Sequence, residues 1–133
     1  MILKGRRVVG GYGEGKALVS REPISFYGGV DPSTGYITEP GHGCYGECLK
    51  DRIFVFPTGK GSTVGSYAIY RMKKMGTAPA AMINRETEAI IATGCVISEI
   101  PLMDKLSEDP LDVLKDGVYV KVDADNKMIV IED

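Results

Sequence analysis

The chain has 133 residues, 44% of them hydrophobic and 26% charged, with 18 acidic against 16 basic side chains for a net charge of −2. A chain of this length buries roughly two-thirds of its unfolded surface, so one compact domain over residues 1–133 supports its core without disulfide or metal staples. The charge balance excludes a surface built to neutralise a row of phosphates, and the lack of any run of about 18 apolar residues excludes a spanning helix, so neither nucleic acid nor membrane is an expected partner. Met1-Ile2-Leu3-Lys4-Gly5-Arg6-Arg7 lacks the apolar stretch of a signal peptide. The expectation is a cytoplasmic protein in which Cys44, Cys48 and Cys95 are reduced thiols.

In chain order, Gly10, Gly11, Gly13 and Gly15 separate Val8-Val9 from Ala17-Leu18-Val19, as a loop between two strands would. From Gly28-Gly29 to Gly46, the glycines together with Pro32 and Pro40 leave no room for a helix and predict a long ordered loop. Loops of that length in compact domains are commonly functional. Ile53-Phe54-Val55-Phe56 reads as a short buried strand. Val64, Ala68, Met72 and Met75 then recur at helical spacing, with Ser62 or Thr63 placed to cap the start and Gly76 to stop the helix. Ala80 to Ile83 is predicted as a strand, Glu86 to Thr93 as a short helix ended by Gly94, and Cys95 to Ile97 as a further strand. Asp109-Pro110 begins one or two helical turns up to Lys115. Val118–Val122 and Met128–Ile131 form a hairpin around Asp123-Ala124-Asp125-Asn126-Lys127. The Asp123-Ala124-Asp125 run begins like a calcium loop but has no glycine at the sixth position, so a turn is expected.

The chemistry concentrates in Thr58 to Ser66. A strand running through a glycine-rich turn into a helix aims unpaired backbone N–H groups and the positive end of the helix dipole at one point, which attracts an anion. Gly59 and Gly61 permit close approach, and Lys60, Ser62, Thr63 and Ser66 supply a cation and three hydroxyls. Phe54 stands where a Walker A motif needs glycine, and Val64 breaks the dinucleotide spacing, so neither standard phosphate motif is present. The same residues also suit a plain helix cap beside a tight turn.

The run Phe56-Pro57-Thr58-Gly59-Lys60-Gly61-Ser62-Thr63-Val64-Gly65-Ser66-Tyr67 resembles the signature of the aconitase X small subunit, the swivelling-domain half of a hydro-lyase. Ala17-Leu18-Val19-Ser20, the segment from Pro23 to Pro32 with Thr34-Gly35, and Gly76 to Arg85 are similar to that family's other runs, in the same order. The resemblance implies a swivelling β/β/α domain of the mixed α/β class: a compact, partly barrel-like mixed sheet with flanking helices and the Ser62 loop exposed at one end. A free-standing chain of this length resembles the archaeal small subunit that pairs with a separate large one. In that setting the resemblance implies removal of water from the phosphorylated hydroxy acid 5-phosphomevalonate, giving trans-anhydromevalonate 5-phosphate in a variant mevalonate pathway. Fusions in the same group act on hydroxyprolines, which keeps cis-3-hydroxy-L-proline as an alternative substrate.

The resemblance to aconitases, whose swivelling domain carries a Gly-x-Gly-Ser-Ser loop, makes Ser62 the proton acceptor, with Lys60, Gly61 and Thr63 beside the substrate. A serine hydroxyl is a poor base in water, so its deprotonated form needs the N–H groups of Gly61 and Thr63, the helix N-terminus and Lys60. Conventional aconitases follow the serine pair with an arginine that holds substrate carboxylate; here Val64-Gly65 follows, and Arg85 or the partner must replace it. The resemblance further implies an iron–sulfur cluster of the 4Fe–4S type held by the large subunit and not by this chain. Cys44 and Cys48 are four apart rather than three, and Cys95 falls in a segment that reads as buried, which argues against a cluster or zinc site with His42. The sole histidine, His42, is expected in a structural or subunit-contact role, and the aromatics Tyr12 and Tyr27 are expected to be packing residues. Two other classes of function compete. The closing pattern also resembles the phosphohistidine carrier domain of phosphoenolpyruvate-using enzymes, but Ser62-Thr63 stands where that carrier needs histidine. A non-catalytic anion-binding module is the remaining reading.

Overall fold

The computed structural model describes residues 1–132. Its elements are β1 (Ile2–Lys4), β2 (Arg6–Val9), β3 (Tyr12–Val19), α1 (Phe26–Gly29), β4 (Ile53–Phe56), α2 (Gly65–Met75), β5 (Ala81–Asn84), α3 (Ala89–Ser98), β6 (Leu102–Asp104), α4 (Pro110–Val113), β7 (Tyr119–Asp123) and β8 (Met128–Ile131). Strands β3, β4, β5 and β6 pair in parallel at the centre, and the C-terminal hairpin adds antiparallel to β3 through β7. Every residue of β4 and β5 is buried, as parallel strands covered on both faces must be.

Pairing runs β1-β8-β7-β3-β4-β5-β6-β2, which places β1 and β2 on opposite edges although only Gly5 separates them in sequence. One bent strand therefore serves both edges and draws the sheet into a barrel. Gly5 N–H donates to the Lys127 carbonyl at 3.1 Å on one side of the bend, and Ser107 N–H donates to the Lys4 carbonyl at 2.7 Å on the other. Successive side chains of a strand point to opposite faces, and the core divides accordingly. Ile53, Val55, Ala81 and Ile83 face the barrel interior with Leu3, Val120 and Ile129, and Leu111 of α4 joins them. Phe54, Phe56, Met82 and Leu102 face outward under α2, α3 and the segment from Ile24 to Leu49. The partly barrel-like mixed sheet with flanking helices is borne out.

Three local expectations need correction. The Gly13 and Gly15 positions lie inside β3, not in a loop; their α-carbons pass so close to the Ala80 and Asp51 carbonyls that any Cβ would strike them. Gly94 does not end a helix and Cys95 to Ile97 is not a strand. Both belong to α3, which Glu88 caps by accepting the Ile90 and Ile91 N–H groups at 2.9 Å each. Gly94 sits where α3 crosses α2, and a Cβ there would approach Ile69 Cδ1 to 2.6 Å, so helix packing overrides both the glycine and the β-branched Val96-Ile97 pair. Tyr12 and Tyr27 are more than half exposed and do not pack in the core.

The long segment after α1 is ordered without regular strands, held by isolated bridges between Val30 and Ile37 and between Tyr36 and Cys48. His42 is buried within it. Its Nδ1 accepts the Cys44 N–H at 3.0 Å, which leaves the ring proton on Nε2, 3.4 Å from Ser20 Oγ; this is a structural role, as expected. The Asp123–Lys127 segment is a turn in which Asp123 accepts the Asn126 N–H at 3.2 Å. Among the described residues, no helix is long and apolar enough to cross a membrane.

Asp104, with no side-chain exposure, anchors the bent strand to β6. It accepts two hydrogen bonds from Arg6, at 2.8 and 2.7 Å, and the Thr87 N–H at 2.8 Å. Burial alone would raise its carboxyl, but Arg6 and Thr87 outweigh that and hold it below the usual range. A carboxyl depressed in the folded state contributes stability that is full above its unfolded value, about pH 4, and is lost as pH falls through the folded value. Asp104→Asn should cost about 2 kcal/mol in urea unfolding at pH 7, the loss of charge-assisted hydrogen bonds at a buried acceptor. The gap between variant and wild type should close in strong acid.

Candidate active site

Strand β4 ends at Phe56, and α2 begins at Gly65, so residues 57–64 span two immobile elements. Gly59 pairs with Ile24 in a parallel bridge, and Lys60 N–H donates to the Ile24 carbonyl at 3.1 Å. The chain then reverses at Gly61, whose φ of +89° is a conformation that glycine adopts at little cost. Ser62 and Thr63 lead into a turn in which Ser62 Oγ accepts the Val64 N–H at 3.2 Å and the Ser62 carbonyl accepts the Gly65 N–H at 2.9 Å. Val64, not Ser62 or Thr63, occupies the formal cap position of α2, and it makes no side-chain cap bond. Ser62 caps the preceding turn instead. Gly76 ends the helix in the left-handed conformation, as expected.

Lys60, Gly61, Ser62 and Thr63 are all exposed and lie together on this loop. Among the described residues, the N–H groups of Gly61, Ser62 and Thr63 take no partner within the chain, so three donors remain free in the loop that precedes α2. Lys60 Nζ pairs with Glu39 Oε2 at 3.0 Å. Glu39 Oε1 accepts the Ser25 N–H at 3.2 Å. Burial opposes ionisation of Glu39, but Lys60 and the Ser25 N–H overcome it and hold the carboxyl below the usual range. Glu39 lies in none of the quoted runs, and Ser25 lies in the Pro23 to Pro32 run; the two meet the loop only through the fold.

Two other residues read from the sequence engage their side chains away from the loop. Ser66 is buried, and its hydroxyl donates to the Ile90 carbonyl at 2.7 Å, tying α2 to α3 rather than facing a ligand. Arg85 Nε donates to both carboxylate oxygens of Asp109 at 3.0 Å, the residue that caps α4. The cysteines do not form a donor set. Cys44 and Cys95 are buried, Cys44 Sγ meets the Val19 carbonyl at 3.6 Å, Cys48 Sγ meets the Thr34 carbonyl at 3.6 Å, and Cys95 sits inside α3. Burial pushes the Cys44 and Cys95 thiols up, against the thiolate that a metal or cluster requires. Among the described residues, no three His, Cys, Asp or Glu side chains come together as metal ligands.

The serine loop is flanked by two open grooves rather than enclosed. One, of about 510 Å³, is bordered by Tyr27, Gly28, Val64, Tyr67 and Arg71; the other, of about 340 Å³, by Thr63, Tyr67, Ile90 and Ile97. Tyr67 is 70% exposed, with Tyr27, Val64 and Ile97 also exposed. The face around the loop is therefore aromatic and apolar as much as glycine-rich.

The small barrel therefore presents a serine, a lysine and free N–H groups on an open face, with no enclosed pocket around them among the described residues. The aconitase X swivel domain family matches residues 2–131, and the chain belongs to that family. Phosphomevalonate dehydratase small subunits from Methanocella arvoryzae and Methanothrix thermoacetophila are 54% and 53% identical to it. The first match covers 93% of this chain and 94% of the relative, the second 100% and 96%. A crystal structure of Thermococcus kodakaraensis aconitase X in its holo form superposes with a TM-score of 0.94 at 49% identity, covering 100% of this chain and 99% of the other.

Loss of the Ser62 hydroxyl removes the acceptor of the Val64 N–H. Ser62→Ala should therefore lower the unfolding free energy by only about 0.5 kcal/mol in urea titration, the low end for one exposed hydrogen bond, with the helical circular dichroism unchanged.

Proposed function

We propose that this chain is the small subunit of a cytoplasmic phosphomevalonate dehydratase, a hydro-lyase that converts (R)-5-phosphomevalonate to trans-anhydromevalonate 5-phosphate for isoprenoid synthesis. The observation that carries the reading is the full-length identity of about half with relatives bearing that name. The open, apolar-rimmed serine loop supports the need for a large subunit that completes the site, in a heterodimer with this chain.

Dehydration beside a carboxylate needs a base at the neighbouring carbon and donors for the charge that develops. Ser62 Oγ is the proton acceptor in this reading. The Val64 N–H already donates to it, and the positive end of α2 that follows favours its negative form. The hydrogen bond that caps the turn is thus the one that lowers the cost of an alkoxide. Gly61 and Thr63 bring their backbone donors to the substrate, and Lys60 holds its carboxylate in place of the arginine that Val64 displaces. Arg85 is paired through Nε with Asp109 and does not belong to the serine loop. The chain's own thiols do not fit a cluster; in this reading a 4Fe–4S cluster would be held by the large subunit and would supply the Lewis acid for the departing hydroxyl.

The test is anaerobic turnover of 5-phosphomevalonate by the assembled complex, with product followed by mass spectrometry. Wild type should give the anhydro product, and Ser62→Ala should lose about a thousandfold in kcat while still forming the complex on gel filtration. Full activity in the alanine variant would return Ser62 to a capping role. A well-formed but inactive wild-type complex would remove phosphomevalonate as the substrate.

A further inference from the structure

The cation of the serine loop is held from outside the loop. Glu39 lies in the segment between α1 and β4, and its side chain is only 20% exposed. It divides its two oxygens between Lys60 Nζ at 3.0 Å and the Ser25 N–H at 3.2 Å. Gly29 leaves room for this arrangement, since a Cβ there would stand 2.9 Å from Glu39 Oε1. Across the loop, Ser25 Oγ, which donates to the Tyr27 carbonyl at 2.9 Å, fills the space beside the Gly61 α-carbon. One carboxylate therefore ties the segment entering α1 to the residue two before Ser62.

Lysine carries its charge on a flexible stem, and the Lys60 side chain is half exposed. Left alone it would sample solvent. An ammonium has three donors, so one bond to Glu39 leaves two for a ligand. We infer that Glu39 is a positioning residue: it fixes the Lys60 ammonium at the serine loop with two donors free for the substrate carboxylate. The inference rests on the reading of Lys60 as the carboxylate-holding group, and it applies equally to either candidate hydroxy acid, because both carry a carboxylate.

The test is a double-variant cycle in the cluster-loaded complex, using Glu39→Gln and Lys60→Met, with 5-phosphomevalonate or cis-3-hydroxy-L-proline, whichever the wild type dehydrates. Glutamine keeps an oxygen to accept the Ser25 N–H and removes only the ion pair. Glu39→Gln should raise KM roughly tenfold and change kcat less than about twofold. It should add nothing in the Lys60→Met background, and Glu39→Asp should recover part of the loss. A role confined to folding would instead give effects that multiply across the cycle. That result, or a fall in KM on freeing the lysine, would overturn the inference while leaving the dehydratase reading intact. Failure of the wild-type complex to turn over both acids would remove the dehydratase reading and the role of Lys60, and the inference with them.

Discussion

The placement of β4 is the constraint from which the rest of the molecule follows. Its four residues are buried on both faces, with Ile53 and Val55 inside the barrel and Phe54 and Phe56 under the helices. A slip of one residue would exchange the two sets, so the register is fixed from both sides. The Phe54 and Phe56 rings stack at 4.4 Å between centroids, and Phe26 meets both edge-on at 6.3 and 6.2 Å, which locks α1 against the strand. The serine loop thus leaves an immovable strand, runs beside the segment entering α1, and ends in a helix held by the close crossing of Ile69 and Gly94.

That anchoring matters to the proposed mechanism, in which the loop acts through backbone groups. Free N–H donors are useful only if they stay aligned on one point, and a loop pinned at both ends pays no reorganisation when charge develops there. The chain nevertheless does not enclose the point. Its grooves are open, its cysteines are committed to packing, and the rim of Tyr27, Val64 and Tyr67 is exposed. In the proposed reading the module supplies a base, a cation and donors, and leaves the walls of the pocket to a second chain.

Local patterns made much of this legible in the sequence. The apolar Ile53–Phe56 run, the helical spacing through Met75 with Gly76 after it, and the closing hairpin all depend on neighbours in sequence. The errors came where distant contacts decide. Gly94 reads as a helix stop, yet it is needed inside α3 because Ile69 leaves no space for a side chain. Gly13 and Gly15 read as a loop, yet they let β3 pass the Ala80 and Asp51 carbonyls. The β1 and β2 strands, three and four residues long, are too short to show a period. At the site, the serine loop was visible as a motif and matches the family to which the chain belongs. Glu39 was not, since its link to Lys60 exists only after the long loop folds back.

The central claim is that this chain provides the proton acceptor, and hydrogen exchange tests it apart from loss of water. The assembled complex would be incubated with 5-phosphomevalonate in deuterated water, and deuterium at the carbon next to the carboxylate would be read by mass spectrometry. The account predicts incorporation by wild type and none above background with Ser62→Ala. Exchange that persists at the wild-type rate in the alanine variant would place the base on the partner and contradict it.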